Sequence, residues 1–368
     1  MNKLPDLVIK DIIINPPIIQ GGMGVRISKS ILASAVSNTG ALGVIASVGL
    51  GDEKASEEDY VNSSNEALRE EIHQAKENTR GYIGVNIMYA LTNFNNLLEV
   101  CCNEKVDVVF MGAGIPTMLP SIVKKSNIKL VPIVSSPRAA EIVCKIWGKR
   151  YQRLPDAIVL EGVRAGGHLG FSVEEINQMK GDNLEEIFIG TREVIEGFER
   201  KSNVKIPLIV AGGIFDGKDI AKYLKLGAAG VKMATRFVCT YECDASPRLK
   251  KEYLQAKKDD IQIIKSPVGL PGRVIMNGFV RKVIKGERID FECHYKCLKS
   301  CDAENVNYCI ADALTNASRG NLDKGFAMCG ANAYRIKKIV SVKELIEELT
   351  REAIVDLNEN QRNHFIRR

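Results

Sequence analysis

Residues 207–237 read PLIVAGGIFDGKDIAKYLKLGAAGVKMATRF, and they contain the repeating unit from which the fold can be predicted. Two apolar runs, residues 207–213 and 230–237, flank a segment of helical length that mixes polar and apolar residues. Short apolar runs rich in Val and Ile that alternate with helices are typical of parallel strands buried on both faces. The stretch is therefore predicted to be one strand-helix-strand unit of an α/β protein.

Six further apolar runs of the same kind precede this unit along the chain. They lie at residues 16–23, 42–46, 82–88, 106–114, 129–134 and 157–162. Most of the runs are separated by about 23 to 27 residues, which is typical of one strand-helix repeat. Eight strands are what a closed (β/α)8 TIM barrel requires, whereas a doubly wound open sheet usually has about five to seven. The sequence predicts the barrel.

The alternation of strands and helices stops after the eighth run, and none is evident in residues 246–330. This part of the chain is predicted to be a small C-terminal lid domain. A helix is then expected near residue 341, where Ser341 and Glu344 match a capping box and the apolar residues that follow share one face. We expect this helix to return as the eighth helix of the barrel. The predicted domains are a barrel of residues 1–245 and 331–368 and a lid of residues 246–330.

The composition is that of an ordinary globular protein. Of the 368 residues, 45% are hydrophobic and 26% are charged. No apolar stretch approaches the roughly 18 residues of a membrane span. The net charge of +6 is spread along the chain, which argues against nucleic-acid binding. The first residues, interrupted by Asp6, Lys10 and Asp11, do not resemble a signal peptide, so we expect a cytoplasmic protein with reduced cysteines.

Glycines crowd the carboxyl ends of the predicted strands, the edge at which barrels of this type carry their active sites. Gly212 and Gly213 follow strand seven, Ala234 and Thr235 follow strand eight, and a helix is expected to open at Asp216. Backbone N–H groups in such loops, together with a helix N-terminus, bind phosphate. The alternative is that the glycines only permit tight turns, but their position after strands seven and eight favours a phosphate site.

A histidine follows the sixth predicted strand in the stretch LEGVRAGGHLGF, residues 160–171. Gly166 and Gly167 precede it, and because glycine lacks a side chain, a flat ligand can approach the backbone closely there. An unperturbed imidazole titrates near pH 6.5, which suits a proton acceptor working near neutrality. An isolated histidine is more often structural, but the strand-end position of His168 favours a catalytic base.

Six motifs occur in the chain in the order PPIIQGGMG, AVSNTGALGVIASVG, GVNIM, EGVRAGGHLGF, IVAGGIFDGKDIAKYLKLGAAGVKMATRF and SPVGLPGR. They span most of residues 15–275, and in order and spacing they resemble the nitronate monooxygenase family, formerly called 2-nitropropane dioxygenases. Relatives of that family include the flavin-dependent enoyl-acyl carrier protein reductase II and an NADH:quinone reductase. The resemblance implies an FMN-binding TIM barrel with a small lid domain.

The resemblance also implies roles for individual residues. His168 matches the catalytic base. Contacts to the FMN phosphate and ring correspond to Gly212, Gly213, Lys232, Met233, Ala234 and Thr235. The isoalloxazine would be lined by Gln20, Gly22, Met23, Asn86, Glu161 and Gly166, with the backbone of Gly167 close to it. In the family's chemistry a nitronate, or a nitroalkane deprotonated by the histidine, reduces FMN and oxygen reoxidises it, which yields a carbonyl compound and nitrite.

Three functions are compatible with these residues and with the resemblance. The first is an FMN-dependent nitronate monooxygenase that uses O2. The second is an NAD(P)H-dependent FMN reductase acting on an enoyl thioester or a quinone. The third is a flavin-binding or structural module without turnover, which a strand-end base beside a flavin disfavours. For either enzyme we expect a small-molecule substrate and no nucleic-acid or membrane partner, and a homodimer is compatible with both.

Two charged residues depart from the pattern of the family. Glutamine is common in relatives at the positions of Glu161 and Lys232. We hypothesise that the two side chains form an ion pair across neighbouring strand ends, because either charge alone near a buried flavin would be costly. Lys232 would also favour an anionic reduced flavin. Ala234 stands where glycine is usual, and its unaltered backbone N–H should still bind phosphate.

Cysteines are concentrated near the end of the predicted lid. Three of them recur every fourth residue, a spacing that would place them on one face of a helix. Converging thiolates could bind zinc or an iron–sulfur cluster, but the spacing differs from common zinc sites. Plain core thiols are the favoured interpretation, and no metal ligand is assigned. The residues concerned are Cys293, Cys297, Cys301, Cys309 and Cys329.

Overall fold

The computed structural model of the chain describes residues 3–123, 126–178 and 183–366. It begins with a short antiparallel hairpin of β1 (Leu7–Ile9) and β2 (Ile12–Ile14). The alternate residues Leu7, Ile9, Ile12 and Ile14 are fully buried and pack in one cluster with residues of the barrel interior. The hairpin therefore fills the interior at the amino ends of the barrel strands. Each such buried side chain stabilises the fold by about 1.5–3 kcal/mol.

The predicted TIM barrel is confirmed, with one strand inside each of the eight predicted apolar runs. The strands are β3 (Ile18–Gln20), β4 (Gly43–Ala46), β5 (Ile83–Met88), β6 (Val108–Gly112), β7 (Lys129–Val134), β8 (Ile158–Glu161), β10 (Leu208–Ala211) and β11 (Gly230–Met233). They are hydrogen-bonded in parallel in the order β3-β11-β10-β8-β7-β6-β5-β4. A bridge between Ile19 and Leu42 joins β3 to β4, with the N–H of Gln20 donating to the carbonyl of Leu42 at 2.9 Å. The sheet thus closes on itself.

Helices follow the strands on the outside of the barrel. They are α1 (Ser30–Ser37), α2 (Glu57–Asn78), α3 (Phe94–Asn103), α4 (Leu119–Ile122), α5 (Pro137–Tyr151), α6 (Val173–Gln178), α7 (Leu184–Ser202), α8 (Gly217–Lys225) and α9 (Thr235–Val238). The described residues contain no helix with the length and apolar character needed to cross a membrane.

The segment predicted as a lid contains regular structure that the sequence did not reveal. Its elements are α10 (Pro247–Gln255), β12 (Ile261–Lys265), β13 (Pro271–Ile275), α11 (Gly278–Ile284) and α12 (Ile310–Ser318). Strands β12 and β13 form a hairpin, and β13 pairs with β9 (Gly167–His168), a two-residue strand in the loop after β8. The segment therefore contains strands, but they form an antiparallel hairpin and do not continue the strand-helix repeat of the barrel. The division into a barrel and a lid at residues 246 and 330 stays a prediction.

The last helix, α13 (Val342–Ile366), packs against α8 and α1. This is where the eighth helix of a barrel would lie. The predicted capping box forms, because the N–H of Ser341 donates to Glu344 at 2.7 Å and the N–H of Glu344 donates to the Ser341 hydroxyl at 3.1 Å. Leu345 and Leu349 on its apolar face are fully buried.

Gly217, the first residue of α8, permits the close contact with α13. A Cβ atom at this position would lie 2.3 Å from Cβ of Glu352 and 2.5 Å from the backbone nitrogen of Ala353. We predict that Gly217→Ala lowers the free energy of unfolding by about 1–3 kcal/mol, because the two helices must move apart. Denaturant unfolding measures this change.

Gly197 provides the matched control for that substitution. It lies inside α7, and a Cβ there would meet no atom within 4 Å. Gly197→Ala should raise the free energy of unfolding by about 0.5–1 kcal/mol, because alanine restricts the unfolded chain and favours helix. Equal changes in the free energy of unfolding for the two substitutions would contradict the conclusion that contact with α13 requires glycine at position 217.

Candidate active site

A cavity of about 270 Å³ opens at the carboxyl ends of the barrel strands. The strand ends form its floor, and apolar residues of the segment predicted as the lid, among them Val268, Leu298 and Phe326, form part of its wall. Most of the residues predicted from the sequence line it. These are Gly22, Met23, Asn86, Glu161, Gly166, Gly167, His168, Gly212, Gly213, Lys232, Met233, Ala234 and Thr235.

Gln20 is the predicted residue that the structure does not bring into this cavity. Its side chain is completely buried between β3 and β4. The Oε1 atom accepts from the N–H of Val44 at 2.9 Å, and Nε2 donates to the carbonyl of Gly21. Its amide is therefore bonded to backbone where the barrel closes, and a contact of Gln20 with a flavin stays a prediction.

The glycines after β10 shape one end of the cavity. Gly212 and Gly213 adopt φ angles of +88° and +98°, a conformation that favours glycine. A Cβ on Gly212 would also lie 2.6 Å from the carbonyl oxygen of Gly162. Among the described residues, the backbone N–H groups of Gly212, Gly213 and Ala234 have no acceptor. These three groups can donate to an anion, as the sequence pattern suggested.

The predicted contribution of α8 to the anion site is wrong. Its N-cap residue, Asp216, accepts from the N–H of Asp219, and the N–H of Gly217 donates to Glu352 at 2.9 Å. Arg335 in turn pairs with Asp216 at 2.7 Å. Carboxylates of the chain itself therefore occupy the N-terminus of α8. The N–H groups of Gly217 and Asp219 already donate to them and are not available to a ligand.

His168 enters the cavity from β9, where it is opposite Gly272 of β13. Its Nε2 atom forms a 2.8 Å hydrogen bond with the hydroxyl of Ser266, the first residue of the SPVGLPGR motif. Burial lowers the pKa of His168 from 6.5 to about 4. The expected titration near neutrality is therefore wrong: the imidazole is neutral at pH 7 and is a weaker base than an exposed histidine.

Arg273 positions the loop that carries His168. This buried residue of β13 donates from Nη1 to the carbonyls of Val163 at 2.7 Å and Ala165 at 2.5 Å. Burial lowers the pKa of the guanidinium. No local sequence pattern indicates a role for Arg273, although the residue ends SPVGLPGR, one of the six motifs that carry the family resemblance. The contact shows why that motif and the AGGH loop belong together.

Glu161 and Lys232 both face the cavity, but not as the ion pair that was hypothesised. Their strands are not neighbours, since β10 lies between them and Ala211 is in register with both residues. No oxygen of Glu161 lies within 4.0 Å of the Lys232 ammonium, and neither side chain has a hydrogen-bond partner in the described part of the chain. Burial raises the pKa of Glu161 and lowers that of Lys232, and each charge partly offsets the shift of the other.

Several further residues reach the cavity without having been predicted. Asn332 donates to the carbonyl of Gly213 at 2.8 Å, and the N–H of Gly330 donates to the Thr235 hydroxyl at 2.9 Å. Arg164 also lines the cavity beside Gly213. Asn332 and Gly330 lie about 100 residues from their partners, so no local pattern could have indicated them.

The cysteine-rich segment has no helix, because no helical element lies between α11 and α12. The predicted alignment of three thiols on one helical face is therefore wrong. The thiols of Cys293, Cys297, Cys301 and Cys309 nevertheless influence one another electrostatically, and burial raises the pKa of Cys297 to about 12. In the described ranges no three His, Cys, Asp or Glu residues are arranged to hold a metal ion.

The nitronate monooxygenase family model matches residues 6–352. The chain is 26% identical over 366 residues to a probable nitronate monooxygenase of Staphylococcus saprophyticus, with 92% of this chain and 94% of the relative covered. It is 28% identical over 275 residues to a 5-hydroxy-7a-methyl-1-oxo-octahydro-1H-indene-4-carboxyl-CoA dehydrogenase of Mycobacterium tuberculosis, with 75% and 67% covered.

Among solved structures, FabK from Thermotoga maritima is similar to this chain with a TM-score of 0.72 and 29% identity, and 94% of each chain is covered. The fold and the family match agree with the motifs that line the cavity. This chain belongs to the nitronate monooxygenase family, a group of oxidoreductases.

The low pKa of His168 makes stability depend on pH. Because the folded pKa of about 4 lies below the unfolded value near 6.5, the unfolded chain binds the proton more tightly, and stability falls as the pH is lowered between these values. At pH 5 the loss relative to pH 7 should reach at most about 2 kcal/mol. His168→Asn should remove this part of the loss, as denaturant unfolding at both pH values can measure. An unchanged difference between pH 7 and pH 5 would contradict the lowered pKa of the imidazole.

Proposed function

We propose that this chain is an FMN-dependent nitronate monooxygenase, which converts alkyl nitronates to carbonyl compounds and nitrite with O2. The observation that carries the proposal is a neutral imidazole, His168, facing a cavity whose glycine-rich end offers unpaired backbone N–H groups. The family membership supports the same reaction class.

The donors in the cavity fit FMN. The N–H groups of Gly212, Gly213 and Ala234 would hold its phosphate. The side chains of Asn86 and Lys232 line the cavity and lack partners among the described residues, so they would donate to polar atoms of the ring. When bound, FMN would supply the electron acceptor for the nitronate and would be reoxidised by O2.

His168 determines which form of substrate is suited to the site. Its partly buried ring is uncharged at pH 7, so it can accept a proton or a hydrogen bond. A base this weak removes a proton from a neutral nitroalkane poorly, whereas a nitronate has already lost that proton. Ser266 holds the ring through Nε2, and the apolar wall formed by Val268, Leu298 and Phe326 limits access of water. We therefore propose the nitronate as the preferred substrate.

An NAD(P)H-dependent FMN reductase, of the enoyl-acyl carrier protein reductase II or quinone reductase type, is the second candidate. The structural likeness to FabK over 94% of each chain favours it at the level of the family. Rapid anaerobic bleaching of the bound flavin by NAD(P)H, without nitrite release from any nitronate, would support this candidate over the first. For both functions we propose a small-molecule substrate, no nucleic-acid or membrane partner, and a cytoplasmic location.

Nitrite release tests the proposed reaction. The FMN-loaded protein should release nitrite from an alkyl nitronate at pH 7 at least about 100-fold more efficiently than from the parent nitroalkane, because the weak base limits only the latter. His168→Asn should abolish the remaining nitroalkane activity and lower kcat for the nitronate less than about tenfold. The assay compares kcat/KM for both substrates in both proteins. Nitrite release from neither substrate, or equal losses on both, would overturn the assignment.

A further inference from the structure

Lys232 is a buried cation that forms no direct ion pair with a carboxylate in the described part of the chain. Its side chain extends from β11 into the cavity and is only 9% exposed. No carboxylate lies within 4.0 Å of its ammonium group, and no described atom accepts a hydrogen bond from it. Ile19 and Ala211, its neighbours in register on either side, belong to the apolar interior of the barrel.

A buried ammonium group without a partner is strongly disfavoured, so a ligand that supplies the missing acceptor would bind to it well. Glu161 is the opposite charge on the same cavity floor, two strands away across Ala211. The spacing of parallel strands puts about 10 Å between the Cα atoms of Glu161 and Lys232. The Glu161 carboxylate and the Lys232 ammonium group are more than 4.0 Å apart, so a ligand atom can approach the ammonium group without displacing an ion pair.

The two charges would act on such a ligand in opposite directions. Lys232 attracts negative charge that develops on a bound group, and Glu161 repels it. Both effects are stronger in a cavity with apolar walls than in water. A ligand that gains negative charge during turnover would feel both residues most strongly in its reduced state.

We propose that Lys232 binds the edge of the FMN ring that becomes negatively charged on reduction, and that Glu161 is the counter-charge with which it sets the reduction potential. This inference rests on the FMN site of the proposed function and assigns the two residues a role that does not depend on which substrate is oxidised. The negative charge of the reduced ring would offset the charge of Lys232 more directly than Glu161 does, because Glu161 acts on Lys232 only at a distance.

The reduction potential of the bound FMN tests the proposal, because it is measured on the holoprotein without substrate. In Lys232→Met, the ratio of FMN affinities for the reduced and oxidised forms should fall at least tenfold, which lowers a two-electron potential by about 30 mV. Lys232→Gln should lower it in the same direction. Glu161→Gln should raise the potential, because the repulsion is removed. The double variant Lys232→Met/Glu161→Gln should lie between the two single variants.

Lys129 supplies the matched control. It is also 9% exposed, but it begins β7 at the opposite end of the barrel, where it pairs with the exposed Asp11 at 2.7 Å. By register it lies six residues below the level of Glu161, or roughly 20 Å away along the strand direction. Lys129→Met removes the same charge at the same burial and should leave the potential unchanged. Oxidised FMN binding, followed by flavin fluorescence, reports whether each variant retains the folded site.

Opposite shifts for Lys232→Met and Glu161→Gln, with no shift for Lys129→Met, would support the proposal. The proposal would be overturned if the ratio of FMN affinities for the reduced and oxidised forms changed less than twofold in Lys232→Met and Glu161→Gln. It would also be overturned if the potential shifted in the same direction in both variants. Failure of the wild-type protein to bind FMN would overturn both this inference and the proposed function. Charge-dependent potentials in a protein that releases no nitrite would support the inference and overturn the proposed reaction alone.

Discussion

Closure of the barrel between β3 and β4 is the constraint on which the site depends. The Ile19–Leu42 bridge and the buried Gln20 amide join the first strand to the second, so that each of the eight strands has two neighbours. All carboxyl ends then lie on one rim, and residues from β5, β8 and β11 face a single cavity although they are far apart in sequence. The N-terminal hairpin fills the opposite end, which leaves the glycine-rich rim as the open one.

Burial determines the electrostatic character of that rim. The partial desolvation that lowers the pKa of His168 also raises the pKa of Glu161 and lowers that of Lys232. Glycines at the strand ends make room for a ligand, and the hairpin of β12 and β13 contacts the AGGH loop through Ser266 and Arg273. The segment predicted as the lid therefore does more than cover the cavity, because it orients the residue proposed as the base.

The elements predicted correctly are those with a strong local pattern. Strands buried on both faces appear as continuous runs of Val and Ile, and the capping box at Ser341 correctly predicts the start of the last helix. Strands β1, β2 and β9 have only two or three residues, too few to show a period, and β12 is partly exposed. Three cysteines spaced every fourth residue suggested a helix, but that pattern involves only three positions, and the residues between them do not form a helix.

Local sequence was sufficient for the class of fold, the position of the site on the barrel and most of the residues that line it, because strand order in a (β/α)8 barrel places every strand end on the same rim. Long-range contacts set the rest. Ser266 reaches His168 across 98 residues, Arg273 reaches Val163 across 110, and β10 separates Glu161 from Lys232. Distant segments bury the imidazole, which lowers its pKa, and they leave Lys232 without a direct ion-pair partner. No single stretch of the chain contains this information, because burial depends on which segments the fold brings together.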